Sequence, residues 1–105
     1  MPETPKSTYH FDWDPGKART NLADHGVSFQ HAATIFRDPL AVTVYDEGHS
    51  ENEDRWITLD EAENGQHLVV VHTFHATNVV DATIRIISAR AATRREITDY
   101  EQMPR

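Results

Sequence analysis

The chain has 105 residues, 38% of them hydrophobic and 26% charged, with 17 acidic against 10 basic side chains and a net charge of −7. That length and composition fit one soluble domain with one core, and argue against a fibrous or disordered chain. The absence of cysteine excludes disulfides and thiolate metal sites, and no apolar run is long enough for a membrane helix.

Residues 1–9 are polar and contain proline, so they read as a flexible leader ahead of a single domain at 10–105. They lack the apolar stretch of a signal peptide, which makes a cytoplasmic location the expectation. His10–Trp13 alternates as a short strand. Asp14-Pro15 then starts a helix in which Ala18, Leu22 and His25 share a face, and Gly26 stops it. Ser28 caps a second helix with Phe29, Ala32, Ala33 and Phe36 as its apolar stripe, closed by Asp38-Pro39. Beyond Pro39 the period becomes two. Strands are expected at Ala41–Tyr45, Arg55–Leu59, His67–Phe74 and Thr83–Ser88, joined by the polar segments Asp46–Asn52, Asp60–Gln66 and Ala76–Asp81. Ala91–Gln102 closes the chain as a helix, with Ala92, Ile97 and Tyr100 at helical spacing. The order β-α-α-β-β-β-β-α describes an α+β domain, a small antiparallel sheet packed by helices on one side.

Charge is unevenly spread along this order. Arg85, Arg90, Arg94 and Arg95 follow one another with no acidic residue among them, while Asp46, Glu47, Glu51, Glu53 and Asp54 crowd an earlier loop. Strict alternation in the last strand puts Arg85 and Ile87 on one face and Ile86 and Ser88 on the other. Arg90 and Arg94, one helical turn apart near a helix start, can hold a phosphodiester with forked hydrogen bonds. The plainer reading is a solvated face on which Arg94 and Glu96 form surface pairs worth little. Glu53 and Arg55 share a strand face, as an acid–base unit or as an ion pair at a sheet edge. His72 ends the valine run, on a strand expected to neighbour the one that holds Arg85, either as a general acid or base or as a hydrogen-bonded core histidine. Trp56 reads as a core anchor. His72 and His75, three apart in a strand, point to opposite faces, so no metal site and no cofactor are expected.

The segments FDWDPGKARTNLADHGVSFQHAATIFRDP, HSENEDRWITL, LVVVHT and RIISARAATRREITDYE, in that order, resemble BrnT toxins from about Phe11 to Tyr100. HGVSF and RIISARAATRRE are the most specific pieces. The resemblance implies a RelE-like fold and a ribonuclease that stops translation when free. It also implies a BrnA-type antitoxin with a ribbon-helix-helix region, in a 2:2 complex because such regions dimerise, so that operator DNA is touched only through the antitoxin. Arg55, Ser88, Arg90, Arg94 and Glu96 carry over as functional positions, with His72 and Tyr100 after them. The expected chemistry is attack of a 2′-hydroxyl on the adjacent phosphate without metal. Arg90 and Arg94 hold the phosphate, Arg55 or Arg85 assists, and Ser88 and Arg95 add contacts. His72 or Glu53 takes the proton, and Tyr100 or a histidine serves the leaving oxygen. Two features depart from the family: the connection FHATNVVDAT is longer and more apolar than the short charged turn expected, and the net charge is acidic for a protein that approaches RNA. The rival reading is a non-catalytic module, an inactive toxin acting as corepressor with its partner.

Overall fold

The helices begin and end where short-range chemistry dictates. In the computed structural model, which describes residues 8–104, helix α1 spans Pro15–His25. The Asp14 carboxylate accepts the Lys17 N–H at 2.9 Å, and Gly26 closes the helix at φ 69°, a left-handed value that favours glycine. Helix α2, Phe29–Ala32, is capped by Ser28 Oγ, which accepts the His31 N–H at 3.1 Å, and continues as a 3-10 turn through Ala33–Arg37.

The strands are β1 (Thr8–Asp12), β2 (Val42–Tyr45), β3 (Trp56–Glu61), β4 (His67–His72), β5 (His75–Ala76) and β6 (Asp81–Ala91), followed by α3 (Arg94–Gln102). They form one sheet in the order β1-β6-β4-β3-β2, with the two-residue β5 also paired to β6. The meander β2-β3-β4-β6 is antiparallel, as expected. The sheet as a whole is mixed, because β1 lies parallel to β6, with Phe11 opposite Ile84. A parallel pair needs a long crossover, and the chain from α1 to β5 supplies it. The expected leader lies outside the described residues up to Ser7, whereas Thr8 and Tyr9 pair with Asp81 and Ala82 in β1. The last strand also runs further than expected. Ala91 pairs with Leu68, and the helix starts only after Thr93, whose side chain caps it. Thr93 and Glu96 form a reciprocal capping box, a sharper start signal than the helix propensity of Ala91 and Ala92.

One face of the sheet, with Leu68, Val70, Ile84, Ile86 and Ala89, packs on Val27, Phe29, Ala32 and Ile35 from the α1–α2 region. A register shift between Val71 and His72 leaves Ile87 as an extra residue in β6. Ile84, Ile86 and Ala89 therefore all reach the core, and Arg85, Ser88 and Arg90 all take the other face. This corrects the alternation that set Ser88 apart from Arg85. Helix α3 lies on that other face as well, where Tyr100 and Met103 share a groove with Val42, Val44, Ile57, Leu59 and Val69, so the helices cover both sides rather than one. On α1 the expected stripe is also revised, because Leu22 is 52% exposed and Asn21 only 6%. Among the described residues no helix is long and apolar enough to cross a membrane.

Candidate functional site

The open face of β6 carries two clusters of arginine and glutamate. At its β5 end a cavity of about 450 Å³ is lined by Asp12, Glu53, Thr73, His75 and Arg85 among others. Arg85 Nη2 donates to both oxygens of Glu53, at 2.5 and 2.6 Å, and Arg55 Nη2 stands 3.9 Å from the same carboxylate. Glu53 and Arg55 are not on a strand. They belong to the loop before β3, which begins at Trp56. Ser50 shapes that loop: its Oγ donates to the Asp46 carbonyl at 2.5 Å and accepts the Arg55 N–H at 3.0 Å. Arg55 Nε is buried there without a hydrogen-bond partner. A carboxylate between two guanidinium groups, in a cavity open to solvent, can give up part of its contact to an incoming anion.

The second cluster joins β6 to α3. Arg90 donates through Nη1 and Nη2 to the two oxygens of Glu96, at 2.8 and 3.0 Å. Glu96 also accepts the Thr93 N–H at 2.9 Å within the capping box. The Arg90 bonds and the Thr93 amide hold the Glu96 carboxyl down at about 2, and Glu96 in turn raises the pKa of Arg90. Ser88 shares the face with Arg90. Arg90 sits in the strand with Glu96 on its guanidinium, so it does not stand one helical turn from Arg94 as expected. Arg94 and Arg95 are exposed in the first turn of α3 and make no ion pair among the described residues.

Tyr100 and His72 are turned inward. The Tyr100 hydroxyl donates to Asp60 Oδ1 at 2.5 Å, and its ring stands edge-on to His67. Asp60 is fully buried, and burial pushes its carboxyl pKa up, the Tyr100 bond opposing the shift and the Asp38 carboxylate adding to it. His72 is 2% exposed, packs edge-on to Phe36 and is held by Thr58 Oγ1 at 2.7 Å and the Thr73 carbonyl at 2.9 Å. Burial lowers its pKa, so it is neutral at pH 7. Both ring nitrogens already have protein partners. The histidine in the cavity with Glu53 and Arg85 is His75, whose only mark in the sequence is its spacing of three from His72. Its signal was faint, since position 75 joins Glu53 only through the return of β5 along β6. Among the described residues no three His, Asp or Glu side chains gather as a metal-binding group.

Residues 13–96 match the model of a family described as the ribonuclease toxin BrnT of type II toxin–antitoxin systems. Among solved structures, the crystal structure of the Brucella abortus ribonuclease toxin BrnT is similar, with a TM-score of 0.57 and 22% identity. The likeness covers 87% of this chain and all of that one, and at this identity it speaks for the fold. No curated protein matches.

Proposed function

The chain belongs to the BrnT family of ribonuclease toxins of type II toxin–antitoxin systems, and from that premise we propose that it cuts RNA at the Glu53–Arg85 cavity without a metal ion. The observation that carries this reading is the Glu53 carboxylate set between Arg85 and Arg55 with His75 in the same cavity. A scissile phosphate takes over the hydrogen bonds of Arg85 and draws in Arg55, which frees an oxygen of Glu53. That oxygen accepts the 2′-hydroxyl proton as the hydroxyl attacks phosphorus. The two guanidinium groups then face the extra negative charge of the pentacoordinate phosphorane. His75 gives a proton to the leaving 5′-oxygen. The products are a 2′,3′-cyclic phosphate and a 5′-hydroxyl.

Arg90 and Ser88, further along the same face, hold the next part of the backbone, with Arg94 and Arg95 at its exposed end. Glu96 is too acidic to act as a base near neutrality, and its part is to aim Arg90. His72 and Tyr100 support the sheet and α3 from within. Cleavage stops translation. The partner expected of such a toxin is a BrnA-type antitoxin with a ribbon-helix-helix region, in a 2:2 complex that meets operator DNA through the antitoxin.

The test is cleavage of RNA by the purified chain in excess chelator, with analysis of the new ends. Cyclic phosphate and 5′-hydroxyl ends are expected, with losses of about 100-fold or more for Glu53→Gln and His75→Ala. Ends bearing a 5′-phosphate, or activity only with added Mg²⁺, would overturn the mechanism. A folded chain that neither cuts RNA nor arrests growth on induction favours the non-catalytic corepressor.

A further inference from the structure

Phe74, just beyond the end of β4, lines both the Glu53–Arg85 cavity and a second one of about 260 Å³, which lies on the α1–α2 face of the sheet with His72 and Ile84. The rings of Tyr9, Phe36, Trp56 and Phe74 wall it, and Thr43 and His72 form its polar end. Tyr9 and Phe74 meet edge to face at 6.2 Å, yet each keeps 40% or more of its surface in solvent. Exposed rings around a hollow are costly to leave in water and form ready platforms for a flat partner. The volume falls below the roughly 300–1,000 Å³ of pockets for drug-sized ligands and suits a single ring system.

The hydrogen bonds behind this cavity have a fixed direction. A carbonyl only accepts, so the 2.9 Å bond to Thr73 requires the proton of neutral His72 on Nδ1. Nε2 is then the acceptor for the Thr58 hydroxyl at 2.7 Å. With its hydrogen committed, Thr58 Oγ1 accepts the Thr43 hydroxyl, also at 2.7 Å. Thr43 is left with lone pairs at the cavity and no hydrogen to offer.

We propose that this cavity takes one unstacked base of the RNA and selects bases that present an amino group to Thr43 Oγ1. The proposal rests on the ribonuclease reading of the Glu53–Arg85 cavity: the two cavities open on opposite faces of the sheet and share Phe74, so a strand held by Arg85 and Arg55 reaches the second one by turning past Phe74 at the end of β4. Stacking against the rings supplies affinity for any base, and the acceptor at Thr43 discriminates among them.

The test uses the full chain with short fluorescent 2′-deoxy oligonucleotides, which a 2′-hydroxyl mechanism cannot cut. Each carries at one position adenine or purine, guanine or hypoxanthine, or cytosine or 2-pyrimidinone, pairs that differ by the amino group alone. Wild type is expected to favour the amino member of at least one pair by about 5-fold, the worth of one neutral hydrogen bond. Thr43→Val abolishes that preference, Thr43→Ser keeps it, and Phe74→Ala weakens every oligonucleotide by about 10-fold. Equal affinity within all pairs, a preference that survives Thr43→Val, or indifference to Phe74→Ala overturns the proposal and leaves the cavity to a protein side chain. The RNA versions separate the two readings. A base preference without cleavage sinks the ribonuclease site alone, and cleavage without a preference sinks the base pocket alone.

Discussion

Asn21 supplies to β6 what a neighbouring strand otherwise gives. Strand β1 pairs with β6 only from Asp81 to Arg85, so the β6 edge near Ala89 has no strand beside it on that side. Asn21 Oδ1 accepts the Ala89 N–H at 3.0 Å, and its Nδ2 donates to the carbonyls of Ala89 and Val27, at 2.8 and 3.0 Å. One side chain thus closes the sheet edge, ties α1 to it and fixes the joint after Gly26. Asn21→Ala leaves these backbone groups buried without partners and is expected to cost about 3 kcal/mol, read from urea unfolding. A loss below about 1 kcal/mol would mean that water replaces the amide easily. Asp60 works in the opposite sense. Its folded pKa is raised above 3.8, so its contribution is fully present below 3.8 and is lost as pH rises through the folded value. An uncharged Asn at position 60 can still accept the Tyr100 hydroxyl and the Glu61 N–H, and can donate toward Asp38. Asp60→Asn should therefore raise the melting temperature at pH 7 by about 4 °C and lose that advantage below pH 3.8. A lower melting temperature at pH 7 would show that the charge itself is needed.

Elements with strong local signals were legible in the sequence, and those set by pairing were not. Asp14-Pro15, Gly26 and Ser28 fix the helical hairpin by short-range hydrogen bonds, and the valine run marks β4 by composition. The bulge at Ile87 has no sequence mark, because it arises from the register of β6 against β4. It decides the site nonetheless, by bringing Arg85 to the face of Ser88 and Arg90. For the same reason the arginines were legible as a group while their partners were not: Glu53 is 32 positions from Arg85, and only the sheet brings them together. The boundary between β6 and α3 lies later than helix propensity suggests, because Ala91 and Ala92 favour helix whereas Thr93 and Glu96 govern where it starts. Glutamine can replace glutamate in a capping box, so Glu96→Gln isolates the ion pair from the cap. At this exposure the pair is worth about 1 kcal/mol. Because the folded pKa of Glu96 is depressed to about 2, its share is complete above 4.5 and lost as pH falls toward 2. The stability gap between wild type and variant should close over that window in acid titrations. A gap that persists unchanged at pH 2 would assign the effect to the cap.

At the scale of the whole molecule, a net charge of −7 repels RNA at long range, so binding depends on what a few arginines do at contact. Arg85 and Arg90 each face a carboxylate of their own chain, with Arg55 near the first of these, which limits the positive field further. A basic nuclease gains affinity from many phosphates and loses it steeply with salt. On the proposed path Arg85 with Arg55, and then Arg90, would engage about two phosphates, and each releases about 0.7 of a counterion from a single strand. The logarithm of affinity for an uncleavable oligonucleotide should therefore fall with the logarithm of salt at a slope near −1.4. Arg85→Ala should flatten that slope by about half, while Asn at position 60, remote from the phosphate path, leaves it as it is. A slope of about −4 or steeper would mean that the backbone runs over far more of the surface, well past Arg94 and Arg95 and around α3. In that case the acidic charge has been offset by a wider track than the Glu53–Arg85 cavity, and the centre of binding moves from β5 to the start of α3.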